Sequence, residues 1–360
     1  MSDIQVIGAV DPATLGAFDA IIDVRSPSEF AEDHVPGAIS LPVLDDAERA
    51  EVGTIYVQDS RFRARRVGAA LVARNVARHL ETALADKPGG FRPLIYCWRG
   101  GQRSGAMATI LAQVGWRTAV LAGGYRTYRR HVKARLYDEA PSLKLVLLDG
   151  RTGSAKTQML QRLGARGLQV LDLEGLAEHR GSVFGGHAGR PQPSQKMFES
   201  RLLAALDALD LSRPIVAEAE ASKVGDRMVP PALWQAMAAA PRIRLSAPLE
   251  ARASYLAGHY ADVVADRAAF EAALARLPVY PGRKALAAWR ALADAGDLEA
   301  LAADLIANHY DPAYDRSMRK EARTQLGTIE LPSLDDAAQA AAADAIAAMV
   351  EGLQPGWAKG

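Results

Sequence analysis

Two stretches of this chain pass from a short apolar run into a polar loop that contains glycine, and then into a helical pattern of apolar residues. The first apolar run is residues 94–96, and the loop that follows it is residues 97–105. The second run is residues 143–148, in which Lys144 is the one polar residue, and its loop is residues 150–157. Short apolar strands that alternate with amphipathic helices are typical of α/β proteins with largely parallel sheets. We therefore expect α/β architecture at both places.

The length of the chain favours two domains. It has 360 residues, and a single hydrophobic core rarely serves more than about 250–300 residues. Between the two loops, residues 125–135 form a basic segment that predicts a connecting helix. We place the boundary after it, so that the first domain is residues 1–135 and the second is residues 136–360.

The second predicted domain contains further strands and a long helical part. Three strand candidates end near polar residues, as strands do at the ligand-binding edge of an open α/β sheet. They are residues 168–171, 215–219 and 243–245. From Leu249 onward, alanine-rich sequence with apolar residues at three- and four-residue spacing predicts helices, the last of them at residues 341–349.

Composition excludes several classes of protein and leaves the partner open. Hydrophobic residues make up 49% of the chain and charged residues 24%, which is normal for a soluble globular protein. The sequence shows no secretory leader and no apolar run of about 18 residues, so we expect a cytoplasmic protein without a membrane span. The net charge of +1 is not a polycationic signal, so a bound RNA would have to be held by a local patch.

The chain has a single cysteine, Cys97. One thiol excludes an intramolecular disulfide and a zinc site built on several thiolates. Cys97 lies between a predicted strand and a predicted helix, where backbone N–H groups converge and the helix dipole favours negative charge. A thiolate is stabilised there, which lowers its pKa and raises its nucleophilicity at neutral pH. Cys97 is therefore the candidate nucleophile, and a buried cysteine beside a glycine turn is the alternative.

The loop after Cys97 is suited to an oxyanion. Gly100 and Gly101 let the backbone curl without steric penalty. Arg99 and Arg103 supply cationic donors for an anion such as phosphate or sulfate. We therefore group both arginines with Cys97 as catalytic candidates.

The second loop fits the Walker A pattern, except that Ala155 stands where the pattern has its last glycine. In this pattern backbone N–H groups surround a phosphate, a lysine adds charge and a hydroxyl is available to Mg²⁺. The predicted phosphate-binding residues are Gly150, Gly153, Ser154, Lys156 and Thr157. Alanine can replace the glycine if φ is negative at that position. A plain helix cap is the alternative.

Two glutamates end the strand candidate at residues 215–219. Glu218 and Glu220 are candidates to hold a metal ion, as the acidic residues of other phosphate-loop proteins do. The alternative is that both carboxylates are merely solvated. The sequence does not identify a metal.

The first domain contains several short motifs in a fixed order. Asp-Val-Arg and Glu-Phe occur within residues 21–30, His-x-Pro-Gly-Ala within residues 34–38, and Gly-Gly within residues 120–125. Together with the cysteine loop these motifs resemble the rhodanese family, and the resemblance covers roughly residues 5–130. For Asp23, Arg25 and His34, the alternative to a functional role is a structural one, in which they fix loops by hydrogen bonds.

The spacing within the cysteine loop departs from ordinary rhodaneses. Five residues separate Cys97 from Arg103, as in phosphatase loops, whereas sulfurtransferase rhodaneses usually place the arginine one position earlier. A longer loop is expected to form a wider cradle, for a tetrahedral phosphate or a larger chalcogen. This leaves a phosphatase or an arsenate reductase as an alternative.

A rhodanese-type domain and a phosphate loop in one chain of this size together resemble the tRNA 2-selenouridine synthase family. Further stretches similar to that family are residues 172–185, 192–199, 218–225 and 309–314. The resemblance extends to about residue 315, and Ala155 is its visible departure. It implies a rhodanese-like domain followed by an α/β domain like those of P-loop NTPases, with a helical carboxyl-terminal extension.

This resemblance implies a transferase with two reactions at the wobble uridine of the tRNA anticodon. A 2-thiouridine is first S-geranylated with geranyl diphosphate, and selenophosphate then supplies the selenium that replaces the geranylthio group. Cys97 would attack selenophosphate or carry selenium as a perselenide, while Arg99 and Arg103 hold the phosphate. Lys156, Thr157 and the loop amides would hold the diphosphate.

The same resemblance implies partners and small molecules. The anticodon arm of tRNA is the expected macromolecular partner, and an enzyme that supplies selenophosphate is a candidate partner. No tightly bound cofactor is expected, and Mg²⁺ is a candidate ion. Neither the oligomeric state nor a metal is specified by the sequence.

A polar, glycine-rich stretch after the strand candidate at residues 168–171 supplies further substrate contacts. Glu174, His179 and Arg180, with Gly181 nearby, are predicted to lie against the phosphate loop. The alternative is that Glu174 and His179 share the polar face of one helix.

Two basic patches are candidates for contact with tRNA. In the connecting segment, basic residues interleave with Tyr125 and Tyr128, which suits phosphate contact and base stacking. The candidate contacts there are Arg126, Arg129, Arg130 and Lys133. The second patch consists of Arg61, Arg63, Arg65 and Arg66 around Phe62. Solvated surface helices are the alternative for each patch.

Three functions therefore compete. The first is the RNA-modifying transferase. The second is a Cys-x5-Arg phosphatase, or a generic sulfurtransferase, coupled to a nucleotide-binding domain. The third is a thiol-based sensor whose phosphate loop responds to a nucleotide.

Overall fold

The computed structural model describes residues 4–139, 142–182, 184–186, 189–259, 261–277, 281–318 and 324–353. Val183, which belongs to the stretch 172–185 singled out above, lies outside these residues. The chain divides into two compact units. The first contains residues 1–139 with 199–204, and the second contains residues 140–198 with 205–360.

The first unit is a five-stranded parallel sheet surrounded by helices. Its elements are β1 (Gln5–Ile7), α1 (Pro12–Leu15), β2 (Ala20–Asp23), α2 (Pro27–Glu32), β3 (Ile39–Ser40), α3 (Asp46–Gln58), α4 (Arg61–Glu81), β4 (Pro93–Tyr96), α5 (Gln102–Val114), β5 (Ala119–Leu121) and α6 (Tyr125–Lys133), after which Ala134–Asp138 form a π-helical turn. The strand order is β1-β5-β4-β2-β3. The predicted strand at residues 94–96 and the helix after it are confirmed as β4 and α5.

The core of the first unit fixes the position of the cysteine loop. Buried apolar residues of β2, β4 and α5, among them Ile22, Ile95, Met107 and Leu111, pack together. Because β4 and α5 are both held by this core, the loop that joins them has little freedom at either end.

The second unit begins with a second five-stranded parallel sheet. The elements of the second unit are β6 (Leu145–Gly150), α7 (Lys156–Ala165), β7 (Gln169–Leu171), α8 (Leu173–Leu176), α9 (Gln195–Asp207), β8 (Ile215–Glu218), β9 (Lys223–Val224), β10 (Arg227–Met228), α10 (Pro231–Ala239), β11 (Arg242–Ser246), α11 (Leu249–His259), α12 (Ala261–Ala265), α13 (Arg267–Ala275), α14 (Arg283–Asp294), α15 (Leu298–Leu305), α16 (Asp311–Met318), β12 (Gln325–Glu330) and α17 (Asp336–Glu351), except that residues 199–204 of α9 belong to the first unit. Residues Ile306–Tyr310 form a π-helical turn between α15 and α16. The strand order is β12-β11-β6-β8-β7, and β9 and β10 form a separate antiparallel pair. The α/β class with two parallel sheets and a largely helical carboxyl-terminal part is confirmed, as are the strand candidates that became β7, β8 and β11.

The expectation of helices alone after Leu249 is wrong at β12. This strand pairs in parallel with β11 at the edge of the sheet. Its two larger apolar residues, Leu326 and Ile329, lie three positions apart and pack against the core of the second unit. That spacing fits one face of a helix as well as an edge strand, so sequence periodicity does not separate the two.

A core formed by residues of both strands and helices positions the phosphate loop. Val146 and Leu148 of β6 pack with Leu160 of α7, and Ile346 of α17 belongs to the same cluster.

Within the part of the chain that the structure describes, no helix combines the length and the apolar composition that crossing a bilayer demands.

Candidate active site

Cys97 lies directly after β4, and donors surround its sulfur. The N–H of Gly101 donates to the Cys97 Sγ at 3.3 Å, and the hydroxyl of Ser104 donates to it at 3.2 Å. Burial raises the pKa of the thiol, but the bonds from Ser104 and from the backbone of the loop outweigh burial, so the pKa is lowered overall. Cys97 is 4% exposed. The donors favour the thiolate, which is the reactive form of cysteine.

Two close backbone approaches hold the loop in shape. Gly100 has φ +64°, and a Cβ there would lie 2.7 Å from the carbonyl oxygen of Leu121. Gly124 has φ +58°, and a Cβ there would overlap the carbonyl oxygen of Cys97. The N–H of Tyr125 donates to that same oxygen at 2.8 Å. The Gly-Gly turn after β5 therefore supports the cysteine loop, which explains why the two motifs occur together.

Arg103 is held by a carboxylate that the sequence analysis did not assign to the site. Its Nη1 donates to the Glu29 Oε2 at 2.8 Å, and the Nε of Arg49 lies 3.2 Å from the same oxygen. Burial raises the pKa of Glu29, but Arg103, the N–H of Ser26 and Arg49 together lower it below its usual range. Glu29 is also the N3 residue of the α2 capping box. The Ser-x-x-Glu spacing of residues 26–29 predicts this box. It does not reveal the contact between Glu29 and Arg103.

The cysteine loop borders a cavity of about 600 Å³. Cys97, Arg99 and Arg103 line it together with Glu29 and Arg49. Arg99 is exposed, whereas Arg103 is half-buried. The structure thus brings the three predicted catalytic residues to one cavity. The three arginines that line it outnumber the two glutamates, Glu29 and Glu32.

The other rhodanese-type motif residues fix loops. Arg25 is 1% exposed and forms an ion pair with Asp23 at 2.6 Å. Its guanidinium lies 4.0 Å from the ring centre of Tyr125. The His34 Nδ1 lies 2.9 Å from the carbonyl oxygen of Phe30, which it can bond through an N–H. These contacts support the structural role that the sequence left open for Asp23, Arg25 and His34.

The phosphate loop contains an alanine in the left-handed conformation. Ala155 has φ +58° and ψ 32°, so the negative φ at which alanine replaces glycine without strain is not found here. Left-handed geometry costs a residue with a Cβ roughly 1–2 kcal/mol. The loop therefore keeps the backbone shape for which glycine is best suited, despite the substitution.

Side chains of the loop reach two acceptors. The Lys156 Nζ donates to the carbonyl oxygen of Gly150 at 3.0 Å, and the Thr157 hydroxyl donates to the Glu174 Oε2 at 2.7 Å. Ser154 is buried, and its hydroxyl has no hydrogen-bond partner among the described residues. Gly153 has φ +84°, and a Cβ there would meet α11 at 3.0 Å. The strand, loop and helix are thus arranged as the pattern predicts.

Carboxylates gather beside Thr157. Glu218 is fully buried, so the solvated alternative is wrong for it. Its Oε2 accepts from the N–H of Leu173 at 3.0 Å, and its Oε1 has no partner among the described residues. Burial, and next the charges of Asp172 and Glu174, raise the pKa of Glu218 well above its usual value.

Glu220 belongs to the same cluster. Burial and the neighbouring Glu174 raise its pKa well above the usual range, while Lys156 acts in the opposite direction. Across the described ranges, no group of three or more histidine, cysteine or carboxylate side chains has an arrangement that could hold a metal ion.

The stretch after α8 approaches this cluster through a glycine. Gly181 has φ +70°, and a Cβ there would overlap the Glu174 Oε1 and lie 2.9 Å from the Glu220 Oε1. His179 accepts at Nδ1 from the N–H of Gly181 at 3.1 Å. Arg180 pairs with Asp262 at 2.8 Å. Because α8 ends at Leu176, the alternative that Glu174 and His179 share one helical face is wrong.

The basic segment became α6, and its exposed cations share one face. Arg126, Arg130 and Lys133 are exposed at positions i, i+4 and i+7. Arg129 is half-buried and pairs with Asp33 at 3.9 Å, and with Glu199.

The expectation that α6 offers aromatic rings for base stacking is wrong. Tyr125 and Tyr128 are 3% and 4% exposed. The Tyr125 hydroxyl donates to the Asp33 Oδ2 at 2.6 Å. Their spacing matches the buried face of the helix, which interleaved letters in a sequence do not reveal.

The second basic patch lies at the start of α4. Its members Arg61, Arg65 and Arg66 are exposed, and the Phe62 side chain is 75% exposed. Arg63 pairs with Asp59 at 2.5 Å. An exposed aromatic ring among arginines is therefore present here, and not on α6.

Comparison with known proteins matches a family model to part of each unit. The family model described as "Rhodanese-like domain" matches residues 11–131, and the one described as "tRNA 2-selenouridine synthase AAA domain" matches residues 143–276. A tRNA 2-selenouridine synthase of Cronobacter sakazakii is 39% identical over 284 residues, which cover 76% of this chain and 70% of that protein. The chain belongs to the tRNA 2-selenouridine synthase family.

Two further relatives carry the same name. The protein of Cupriavidus necator is 37% identical over 273 residues, 72% of each chain. The protein of Nitrosomonas europaea is 36% identical over 251 residues, 68% of this chain and 65% of that protein. The match thus spans about two thirds of the length of the curated family members. The cysteine loop lies inside the region matched by the rhodanese-like model, and the phosphate loop lies inside the region matched by the AAA model.

Proposed function

We propose that this protein converts wobble 2-thiouridine in tRNA into 2-selenouridine, through an S-geranylated intermediate. The observation that carries the proposal is the Cys97 sulfur, which accepts two hydrogen bonds in a cationic cavity. The phosphate loop of the second unit provides a second anion site of different design. The names of its relatives support tRNA as the substrate.

The first reaction is assigned to the phosphate loop. Lys156, Thr157 and the loop amides bind the diphosphate of geranyl diphosphate, which stabilises it as a leaving group. The carbon–oxygen bond of the donor breaks, and a carbon–sulfur bond to the thiouridine forms. If Mg²⁺ binds, Thr157 and Glu174 are the residues that would hold it beside the diphosphate and neutralise charge. The buried, unpaired oxygen of Glu218 fits a cation nearby.

An apolar cavity beside the phosphate loop supports a hydrocarbon donor. Leu256 of α11 lies 3.0 Å from where a Cβ on Gly153 would be, and Leu256 also lines the cavity with Phe184, Phe270 and Ala302. The cavity holds about 30 Å³, so a geranyl chain enters it only as the lining side chains move apart. Apolar walls suit an isoprenoid better than the polar edges of a nucleoside.

The second reaction is assigned to the cysteine loop. Alkylation converts the sulfur of thiouridine into a good leaving group, so selenium can displace it at C2. Cys97 acts on selenophosphate as the nucleophile, and Arg99 and Arg103 bind its phosphate. Over the whole reaction one water is consumed. The phosphorus–selenium and carbon–sulfur bonds break, carbon–selenium and phosphorus–oxygen bonds form, and geranylthiol and phosphate leave.

Mass spectrometry of tRNA nucleosides from cells that carry single variants tests this proposal. Cys97→Ser should abolish 2-selenouridine, and Lys156→Ala should leave 2-thiouridine without its geranylated form. Unchanged selenouridine in the Cys97→Ser cells would instead favour the thiol-sensor function.

A further inference from the structure

The spacing of Cys97 and Arg103 is a motif that the two-step reaction does not by itself require. Five residues separate them, and Ser104, which follows Arg103, donates its hydroxyl to the Cys97 Sγ at 3.2 Å. We propose that Cys97 attacks the phosphorus of selenophosphate, not its selenium, and becomes a cysteinyl phosphate that releases selenide. This inference rests on the proposed function, because it specifies how that function activates selenium.

The geometry favours attack on a tetrahedral phosphorus. The thiolate lies at a cavity of about 600 Å³, which has room for a phosphate that carries selenium. Backbone N–H groups of the loop and the side chains of Arg99 and Arg103 are the donors available to three phosphate oxygens. Two donors already directed at the sulfur stabilise it as a nucleophile and, later, as a leaving group.

Electron balance also favours phosphorus. Selenium has the same oxidation level in selenophosphate and in 2-selenouridine. Attack on selenium would give a perselenide and would reduce phosphorus below phosphate, so an external oxidant would be needed to release phosphate. The chain has no second cysteine to take part in such redox chemistry.

Attack on phosphorus needs no oxidant. The sulfur–phosphorus bond forms as the phosphorus–selenium bond breaks, and the electron pair leaves with selenide. Water then attacks phosphorus, the sulfur–phosphorus bond breaks, and the thiolate is regenerated while a proton passes to solvent. The selenide attacks C2 of the geranylated uridine, and the geranylthiolate departs.

The surroundings of Arg103 suit a leaving group that is a weak base and needs no proton donor. Selenide leaves without help from a proton donor, unlike the alkoxide of an ordinary phosphate ester. Glu29, which binds Arg103 at 2.8 Å, is kept ionised by its two arginine neighbours, so it orients Arg103 and does not donate a proton. The loop should therefore act on selenophosphate and only slowly on alkyl phosphates.

Intact-protein mass spectrometry after an acid quench tests the inference. The full chain is mixed with selenophosphate alone, and we expect one phosphoryl group and no selenium on Cys97. Ser104→Ala should make the adduct persist about tenfold or more longer, because a hydrogen bond to the departing thiolate is worth roughly 1.5–3 kcal/mol. The matched control is Thr109→Ala, which removes an exposed hydroxyl from the same helix.

The outcomes separate this inference from the proposed function. Selenium on Cys97 without phosphorus would overturn the inference and leave the proposed function standing. Undiminished phosphate release by Cys97→Ser would also overturn it. A cysteinyl phosphate in a protein that never forms 2-selenouridine in RNA would support the phosphorus attack and reject the proposed function.

Discussion

At the scale of single residues, one hydrogen bond from the Ser104 hydroxyl favours the thiolate of Cys97. Burial acts to raise the pKa of this thiol, and the Ser104 hydroxyl is the largest of the contributions that lower it. Ser104→Ala should therefore move the pH profile of alkylation by iodoacetamide to higher pH. At neutral pH we expect the rate to fall by about tenfold, given the strength of a hydrogen bond to a charged group. A profile that stays in place would assign the lowered pKa to the backbone donors alone.

Ala155 stores strain that a glycine would relieve. Its positive φ destabilises the folded state by roughly 1–2 kcal/mol. A glycine instead lowers the free energy of unfolding by about 0.4–1 kcal/mol, because it gives the unfolded chain more conformational entropy. Ala155→Gly should raise the free energy of unfolding by up to about 1 kcal/mol in a urea titration. Ala165→Gly, at the exposed end of α7, is the matched control and should lower it. A destabilised Ala155→Gly protein would contradict this account of the loop.

Glu29 should make stability depend on pH. Its pKa is lowered in the folded protein, so the folded state binds the proton less well than the unfolded chain does. The stabilisation is therefore complete above the ordinary glutamate pKa and is lost as pH falls through the lower folded value. The free energy of unfolding should change less between neutral and acidic pH in Glu29→Gln than in the wild type. An equal difference would show that the arginines contribute no net stability through this carboxylate.

At the scale of elements, α6 presents a cationic face without aromatic rings. Arg126, Arg130 and Lys133 are exposed on that face, so we expect them to bind phosphates and not bases. Replacing all three by glutamine should weaken binding of an anticodon-arm RNA and reduce the slope of log affinity against log salt by roughly 0.7–0.9 for each phosphate that is no longer neutralised. Fluorescence anisotropy over a range of salt concentrations measures both. Arg117→Gln, an exposed arginine elsewhere in the first unit, is the control, and equal slopes for both proteins would contradict the assignment.

Elements with an unambiguous apolar pattern could be predicted from the sequence, and elements whose conformation depends on a distant partner could not. Residues 94–96 of β4 and 145–148 of β6 are continuous apolar runs, because both faces of a central parallel strand are buried. By contrast β12 is an edge strand whose pattern also fits a helix, and only pairing with β11 decides its conformation. The end of α8 at Leu176 is followed by Glu178, whose φ of +49° lies in the left-handed region that stops a helix.

At the scale of the whole molecule, the predictable part of the chemistry was the pair of loops. Their residues are contiguous, so motif spacing alone locates Cys97 and Lys156. Glu29 reaches Arg103 across 74 positions of sequence, and such a partner emerges only when the chain folds. The buried state of Glu218 likewise depends on strand order, which brings β8 beside β6 and β7.

The proposal of one anion site in each loop predicts two separable reactions. If each loop has its own substrate, loss of one site should leave the other reaction intact when its substrate is supplied. Coupling through a single shared site predicts instead that either variant loses both reactions.

The most direct measurement supplies purified variants with either 2-thiouridine or pre-geranylated anticodon-arm RNA, and follows the nucleosides by mass spectrometry. Lys156→Ala should fail to geranylate 2-thiouridine, yet should form 2-selenouridine from the geranylated RNA and selenophosphate. Cys97→Ser should do the reverse, and accumulate the geranylated nucleoside. Geranylation by Lys156→Ala at the wild-type rate, or selenation by Cys97→Ser, would contradict the assignment of one reaction to each loop.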